Sequence, residues 1–480
     1  MASNWGKFKV SRRTAVAGMA GTAALSALPG CSSDSPLGPI EGQPNFLFIM
    51  ADDLGYADLS CYGRMEYETP VLDRLASEGM QFMHGYANSA VCSATRFGLI
   101  TGRYQYRLRA GLEEPLGGTE LGLDPEHPTL PSLLKEQGYH TALIGKWHLG
   151  LLPTYSPLKS GYDEFWGNRG GGVDYYTHGI GGGKDIWDGD DPEVDDVGYY
   201  TDLLCDRSLE YLEQRAAEDK PWLLSLHFTA PHWPWQGKND EGKAESDRIA
   251  EMAQTGELNI LHYDGGNMAT YANMVEELDA NIGRVLEKLV ELGMDSNTVV
   301  VFTSDNGGER FSFNWPFHGQ KTELLEGGIR VPWLVKWPGL AAPGSTSDVP
   351  ILSMDMLPTM VAAAGGTPHS DYPSDGMDLR PVLEGGTLPE RNLYWRFHHK
   401  DQKAVRSGDY KYLSINGNEF LFNIIDDPQE RGNLKNRMPE KFEELKQAYV
   451  DWDAPMVHAN DVSSWGVSPA NVAERFDPTP

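Results

Sequence analysis

A cysteine followed four residues later by an arginine is the first place in this chain where side-chain type and spacing could do chemistry. The run is Val91-Cys92-Ser93-Ala94-Thr95-Arg96, with Thr101-Gly102-Arg103 close behind. If a helix opens at Cys92, its electropositive N-terminus suits an anionic group, and Arg96 lies one turn on along the same face. Taken alone, the pair reads more simply as a buried small residue beside a salt-bridged arginine than as a nucleophile with its cation. Asp52-Asp53 and Asp305-Asn306 are two oxygen-rich pairs, each directly after a short apolar run. Four hard oxygen donors with no His or Cys suit Ca²⁺ or Mg²⁺ rather than zinc. An Asp-Asp pair after a strand also reads as a turn or a helix cap. Gly145-Lys146-Trp147-His148-Leu149-Gly150, Ala230-Pro231-His232-Trp233-Pro234 and Gly319-Gln320-Lys321-Thr322-Glu323 add lysines and histidines in loop-like stretches. By itself His148 would read as structural.

These groups need rigid elements in front of them. Residues 46–50, just before Asp52, read as a buried strand of a parallel sheet. Residues 141–144, 223–228 and 298–303 read as further strands. Thr69-Pro70 predicts a helix capped by Thr69, with Pro70 in its first turn, an apolar face of Val71, Leu72, Leu75 and Ala76, and Gly79 at its end. Residues 269–292 predict a long amphipathic helix with Met274, Leu278, Ile282, Val285, Leu289 and Leu292 on one stripe. Segments 169–198 and 230–268 are Gly- and Asp-rich and weakly periodic, and read as functional loops. A helix over 354–364 closes the main domain. Short strand-like pieces at 392–397, 404–406, 410–413 and 420–423 predict a small antiparallel sheet, followed by a helix over 435–449. Alternating strands and helices predict an α/β fold, with a large mostly parallel central sheet flanked by helices and a smaller C-terminal α+β subdomain. The boundaries expected are 1–31 for an export signal, 32–44 for a tether, 45–370 for the catalytic domain and 371–480 for the subdomain.

Taken together, the blocks resemble the formylglycine-dependent, arylsulfatase-like sulfatases of the alkaline phosphatase superfamily. Cys92 to Arg96 with Thr101-Gly102-Arg103 is similar to the sulfatase signature, Cys-x-(Pro/Ala)-x-Arg with a trailing Thr-Gly-Arg. The other blocks follow in family order, and the likeness covers most of residues 45–434, including Leu421-Phe422-Asn423, Asp427-Pro428 and Asn433-Leu434. The resemblance implies the alkaline-phosphatase-like fold and hydrolysis of sulfate esters. It implies that Cys92 is oxidised to formylglycine by a formylglycine-generating or anaerobic sulfatase-maturating enzyme. Ala94, where many relatives carry Pro, bears on which of these works. It implies Ca²⁺, in preference to Mg²⁺, held by Asp52, Asp53, Asp305, Asn306 and the oxidised side chain at 92.

Roles carry over residue by residue. Arg96 hydrogen-bonds the modified residue, and Lys146 contacts it and the sulfate. The hydrated aldehyde gives a proton to Asp305 and attacks sulfur. His232 and Lys321 bind sulfate and assist the leaving alcohol, and His148 is the general base that releases sulfate. His227 and the stretch from Glu326 to Arg330 read as architectural. The sequence departs from the family where some relatives place a sulfate-binding Ser. Here it reads Gly170-Gly171-Gly172-Val173-Asp174-Tyr175-Tyr176-Thr177-His178, so Asp174 or His178 takes a substrate-side role or neither does. Arg169, His178, Trp233, Trp235 and His318, with Arg396, His398 and His399, are read as a specificity wall.

The net charge of −29 excludes nucleic acid and anionic membrane surfaces as natural partners. A polyanionic substrate would also be repelled unless the site carries its own positive charge. Thirteen Trp and 21 Tyr supply rings for carbohydrate platforms, although most should simply fill the core. Ser11-Arg12-Arg13-Thr14 and the apolar stretch 15–28 read as a twin-arginine export signal, and Leu28-Pro29-Gly30-Cys31 as a lipoprotein box with a lipid anchor at Cys31. Ordinary cleavage nearby is the alternative. The expected location is the periplasm or an outer-membrane or cell-surface tether. Cys61 and Cys205 are left, free to pair in an oxidising compartment. The expected substrate is a sulfated carbohydrate such as an algal galactan (carrageenan), with glycosaminoglycans as the other option. The rivals are a phosphonate monoester or phosphodiester hydrolase of the same superfamily and an inactive binder of sulfated glycans.

Overall fold

The computed structural model describes residues 38 and 40–459 apart from 113, 116–119, 181–182, 193–195 and 259–264. The export signal 1–31 and most of the tether lie outside the described residues. From Leu37 on, the chain clusters as one compact unit.

The strands run β1 Asn45–Ala51, β2 Met80–Phe82, β3 Gly85–Tyr86, β4 His140–Gly145, β5 Glu164–Gly167, β6 Trp187–Asp188, β7 Asp191–Pro192, β8 Trp222–His227, β9 Thr298–Ser304, β10 Trp333–Lys336, β11 Ser345–Ser347 and β12 Ile351–Leu352. Ten of them form one sheet in the order β11-β2-β10-β9-β1-β8-β4-β5-β6-β7. Its centre, β9-β1-β8-β4-β5, is parallel, and β10 and β6 add antiparallel neighbours on either side. Every residue of β1 is buried, as a strand covered on both faces requires. Its side chains alternate between two cores. Leu47 and Ile49 join one, and Phe46, Phe48 and Met50 join the other.

The helices α1 Pro70–Glu78, α2 Cys92–Thr101, α3 Leu130–Glu136, α4 Tyr200–Ala216, α5 Asp240–Thr255 and α6 Met268–Glu291 divide between those faces. Leu72 of α1, Leu204 of α4 and Leu278 of α6 pack on the first core, and Phe97 of α2 and Leu133 of α3 on the second. The expected stripe of α6 is buried from Met274 to Leu289, and its last member, Leu292, is the half-buried residue that caps the helix. Each such aliphatic side chain contributes about 1.5–3 kcal/mol when fully buried.

Three sequence expectations change. Thr69 makes no side-chain cap to α1. Its Oγ1 accepts from Ser60 N and donates to Asp73. The first turn is capped instead across the structure by Asp279 of α6, which accepts from Val71 N at 3.0 Å and Leu72 N at 2.9 Å. Segment 230–268 is not all loop, since it contains α5. Asn239 caps that helix through Gly242 N, and Gly256 ends it at φ +75°. The last helix runs Pro439–Asp453, because Pro439 takes its first position, where a missing N–H costs nothing.

Strands β13 Asn392–Phe397, β14 Gln402–Ser407, β15 Tyr410–Ile415 and β16 Asn418–Asn423 form the separate antiparallel sheet. One face carries Trp395, Leu413 and Phe422 into a core with Tyr86, Ala90 and Ile329. The other carries Val405, Tyr412 and Leu421 against Phe442 and Leu445 of the last helix. Cys61 and Cys205 are free thiols. No described helix is long and apolar enough to cross a membrane.

Candidate active site

Four adjacent parallel strands, β9, β1, β8 and β4, end along one edge of the sheet. Asp305-Asn306, Asp52-Asp53, the loop to His232, and Lys146 to His148 follow them in turn. This is where open α/β sheets place ligands. Cys92 meets that edge as the first residue of α2. Val91 before it is extended and gives no side-chain cap, so the first amides of α2 are left for an anion. The helix ends through the Thr-Gly-Arg block. Thr101 Oγ1 donates to Phe97 O, and Gly102 closes the turn at φ +64°. Arg103 stacks on Tyr372.

The centre is buried and heavily charged. Lys146 Nζ donates to Asp52 Oδ2 at 2.5 Å, and Lys321 Nζ to Asp53 Oδ2 at 2.7 Å. Asn306 Nδ2 donates to Asp53 Oδ1 at 2.7 Å. Asp305 Oδ1 accepts from Asp53 N at 3.2 Å, and its Oδ2 from Arg96 Nε and Nη2 at 3.2 and 2.8 Å. Ligand atoms of Asp52, Asp53, Cys92 and His232 lie within 4.8 Å of one another.

The groups fit a hard divalent cation. Asp52 Oδ1 and Asn306 Oδ1 are buried oxygens with no hydrogen-bond partner among the described residues, a costly state unless an ion fills it. Burial, and then the charge of Asp305, pushes Asp52 well above the usual carboxylate range. A cation among Asp52, Asp53 and Asp305 would relieve that repulsion.

The same field sets the other groups. Burial pushes the Cys92 thiol well up, against the pull of Lys146 and Lys321, so an unmodified Cys92 stays a protonated, poor nucleophile. Burial and the neighbouring cations, Lys146 first, hold His148 well below its ordinary value, so its ring is neutral. Burial and Lys321 do the same to His232, with Asp53 opposing. Both His148 nitrogens lack hydrogen-bond partners among the described residues. His232 Nδ1 sits 2.5 Å from Trp233 O, which can only accept. That places the proton on Nδ1 and leaves Nε2, 3.5 Å from Asp53, facing the pocket. Burial lowers the ammonium pKa of Lys146 and Lys321, but Asp52 and Asp53 more than restore it, and both lysines stay charged.

A sulfatase family model matches residues 44–366. The dog (Canis lupus familiaris) N-acetylgalactosamine-6-sulfatase is 32% identical over 403 residues, covering 77% of this chain and 71% of its own. The solved structure of Ps i-CgsB matches with a TM-score of 0.79 at 29% identity, covering 91% of this chain and 98% of its own. Ps i-CgsB in complex with k-i-k-neocarrahexaose matches with a TM-score of 0.78 at 29% identity and the same coverage. The chain belongs to the sulfatase family.

As a sulfatase it is a sulfuric ester hydrolase, and the fold brings Cys92, Lys146, His148, His232 and Lys321 to one pocket. Arg96 differs from expectation. It makes no hydrogen bond to Cys92, and its guanidinium is taken by Asp305, by Lys146 O at 3.1 Å and by the facing Nδ1 of His227 at 3.2 Å. His227 is thus the buried neighbour of Arg96, in keeping with an architectural role. Glu326 is architectural too, bonded to Tyr86, Lys411 and Arg330 under the C-terminal sheet.

The expected specificity wall divides. Asp174 is fully buried, and its oxygens are taken by Tyr176 N, Thr177 N, Ser246 and Gln236, so it ties its loop together. His178 is also buried, with its Nε2 against Gly198 O at 2.9 Å. Arg396 is held by Asp453 of the last helix and by Val457 O just beyond it. Trp233 lies tilted against His232, with ring centroids 5.3 Å apart. Arg169 is a third exposed, over the Trp187 ring, and bonds Asp185. His318 is exposed on the loop before Lys321. Gly171 and Gly172 pack on the two histidines. A Cβ on them would lie 2.7 Å from His148 Cε1 and 3.0 Å from His232 Cε1.

Sequence reasoning missed Glu114. One of its oxygens lies within 4.8 Å of both Cys92 Sγ and a His148 nitrogen. Burial raises this carboxyl, with Lys321 and Lys146 pulling it back. It follows Glu113 in an acidic stretch with no strand before it, so no pattern marks it.

Proposed function

We propose that this sulfatase removes sulfate esters from a sulfated galactan or related oligosaccharide, using formylglycine made from Cys92 and Ca²⁺ held by Asp52, Asp53, Asp305 and Asn306. The observation that carries the reading is the pairing of buried, partnerless Asp52 Oδ1 and Asn306 Oδ1 with Cys92 at an electropositive helix start. The sugar assignment is supported by the likeness to N-acetylgalactosamine-6-sulfatase and to a protein solved with k-i-k-neocarrahexaose.

When bound, Ca²⁺ polarises a sulfate oxygen and offsets the three carboxylates, and the hydrated formylglycine offers an oxygen in place of the thiol. The chain's own groups do the rest. Charged Lys146 and Lys321 hold the sulfate, with His232 Nε2 turned to the ester oxygen. Bound sulfate adds negative charge beside His232 and raises its pKa, so that the ring can carry a proton to the leaving alcohol. Neutral His148 is free at both nitrogens and takes the proton that lets residue 92 release sulfate. Asp305 is held by Arg96 and Asp53 N, and serves as the proton acceptor at the start. Together Arg96, Lys146 and Lys321 supply the local positive charge that the acidic surface denies.

We also propose export through the twin-arginine signal and lipid attachment at Cys31, supported by the residue pattern at 11–31. Labelled fatty acid incorporated by wild type and lost in Cys31→Ala tests this.

Mass spectrometry of the peptide containing residue 92, from protein made with a maturation enzyme, tests the central reading. Loss of sulfur with gain of an aldehyde, together with turnover of 4-nitrophenyl sulfate that Cys92→Ala abolishes, is the expected result. An intact Cys92 in fully active protein would overturn it. Faster hydrolysis of a phosphodiester than of any sulfate ester would favour phosphonate or phosphodiester chemistry.

A further inference from the structure

We infer that Glu114 is a specificity-determining residue on the open side of the sulfate pocket, where its carboxylate accepts a hydrogen bond from a sugar hydroxyl beside the sulfate ester; the inference rests on the sulfatase reading above.

Three observations lead there. Cys92, Glu114 and His148 each offer an atom within 4.8 Å of the others, so Glu114 borders the reacting centre. Cys92 and His148 are buried, whereas Glu114 is half-buried and keeps some contact with solvent. Glu114 also makes no hydrogen bond or ion pair with the described residues.

The segment that carries it is fixed at both ends. On the far side, Leu123 N donates to Leu149 O at 2.7 Å, Gly122 bridges to Gly150, and Tyr155 Oη donates to Glu120 O at 2.8 Å. These contacts tie it to the stretch just after His148. On the near side, Arg107 makes a two-pronged pair with Asp375, and Gln105 Nε2 donates to Asn88 O at 2.9 Å. Gly111 then packs on Gln105 O so closely that a Cβ would lie 2.4 Å away.

The chemistry narrows the partner. An ionised carboxylate only accepts, and a sulfate monoester has no proton to give. The sulfate group belongs with Lys146, Lys321 and His232 in the interior. Glu114 is the partly exposed member of its trio with Cys92 and His148, so it is the one that can meet the rest of the substrate, and only that part can bring a donor. A sugar ring carries hydroxyls next to its ester, and an aryl ring need not. A second sulfate or a carboxylate at that position would be repelled.

The test compares kcat/KM on k-i-k-neocarrahexaose and on 4-nitrophenyl sulfate for wild type, Glu114→Gln and Glu114→Ala. The loss in Glu114→Ala on the hexaose should exceed its loss on the aryl sulfate by about 10- to 100-fold, as expected for a hydrogen bond to a charged group. Glu114→Gln, which keeps one acceptor oxygen, should lose less. Equal losses on both substrates would mean that Glu114 acts on residue 92 or His148, and would overturn the inference, as would no loss at all. Wild type inactive on both would tell against the sulfatase reading itself. Calorimetry in the Cys92→Ser background then decides the Glu114 question without turnover. There, adding Glu114→Ala should weaken hexaose binding and leave inorganic sulfate as tight or tighter. Unchanged hexaose binding would overturn it.

Discussion

The Cβ position of Gly171 lies 2.7 Å from Cε1 of His148, closer than a side chain can approach. The backbone of this loop therefore forms one wall of the histidine's seat. Gly171→Ala must push the ring or the loop aside, at about 1–3 kcal/mol for the overpacking. Displacing the proposed base should cut kcat about 10- to 100-fold, because small misplacements at the reacting centre are expensive. Steady-state kinetics beside a thermal melt checks this. A lowered Tm with normal kcat would mean that the contact is only structural.

Removing divalent cation should lower both Tm and turnover, since Asp52, Asp53 and Asp305 would be left to repel one another. Returning Ca²⁺ at one hundred times its Kd should restore about 2.7 kcal/mol. Asp52→Asn should weaken this response. Scanning calorimetry against Ca²⁺ concentration reads it, and a Tm indifferent to chelator would count against a cation at these residues.

Asp279 holds the first turn of α1 from a helix about two hundred residues away in sequence, through Val71 N and Leu72 N. Asp279→Ala should destabilise by about 1–2 kcal/mol, the usual worth of a cap. Thr69→Ala leaves that cap in place. Urea melts of the two variants should rank Asp279→Ala as the more damaging on this account, with kcat/KM of both near wild type.

Lys411 bridges two buried carboxylates, Glu326 and Glu430, at 2.9 Å each. Burial raises Glu430 to about 7, with the charge of Glu326 adding to it and Lys411 opposing. Burial would raise Glu326 too, but Lys411, Arg330 and Arg406 bring it down to about 2. Against an unfolded value of 4.5, the raised group stabilises fully below 4.5 and loses that contribution as pH rises through 7. The depressed group stabilises above 4.5 and loses its contribution as pH falls through 2. Glu430→Gln should therefore gain stability relative to wild type as pH rises from 4.5 to 7, by at most about 3 kcal/mol. Denaturation of the pair of proteins across that range checks the sign.

Much of the fold and site was legible in the chain because it depends on local pattern. A run such as Phe46 to Met50 must be covered on both faces, so it announces a buried strand wherever it occurs. The polar pairs Asp52-Asp53 and Asp305-Asn306 directly follow such runs. Cys92 with Arg96 and Thr101-Gly102-Arg103 marks a helix start and its end. The charge of −29 already required a local store of cations.

What only the tertiary structure decided depends on which strands become neighbours and on what fills the space between them. The order β9-β1-β8-β4 sets four strand ends side by side, although they are far apart in the chain. That order assigned Arg96 to Asp305 and His227 instead of to Cys92. It buried Asp174 and His178, polar residues that look available in sequence, because their loop folds back on Gln236 and Gly198. It moved the cap of α1 from Thr69 to Asp279, where a carboxylate reaches two amides at once. And it set Glu114 beside Cys92 and His148, a placement made by the two anchored ends of its segment and by no property of the glutamate itself.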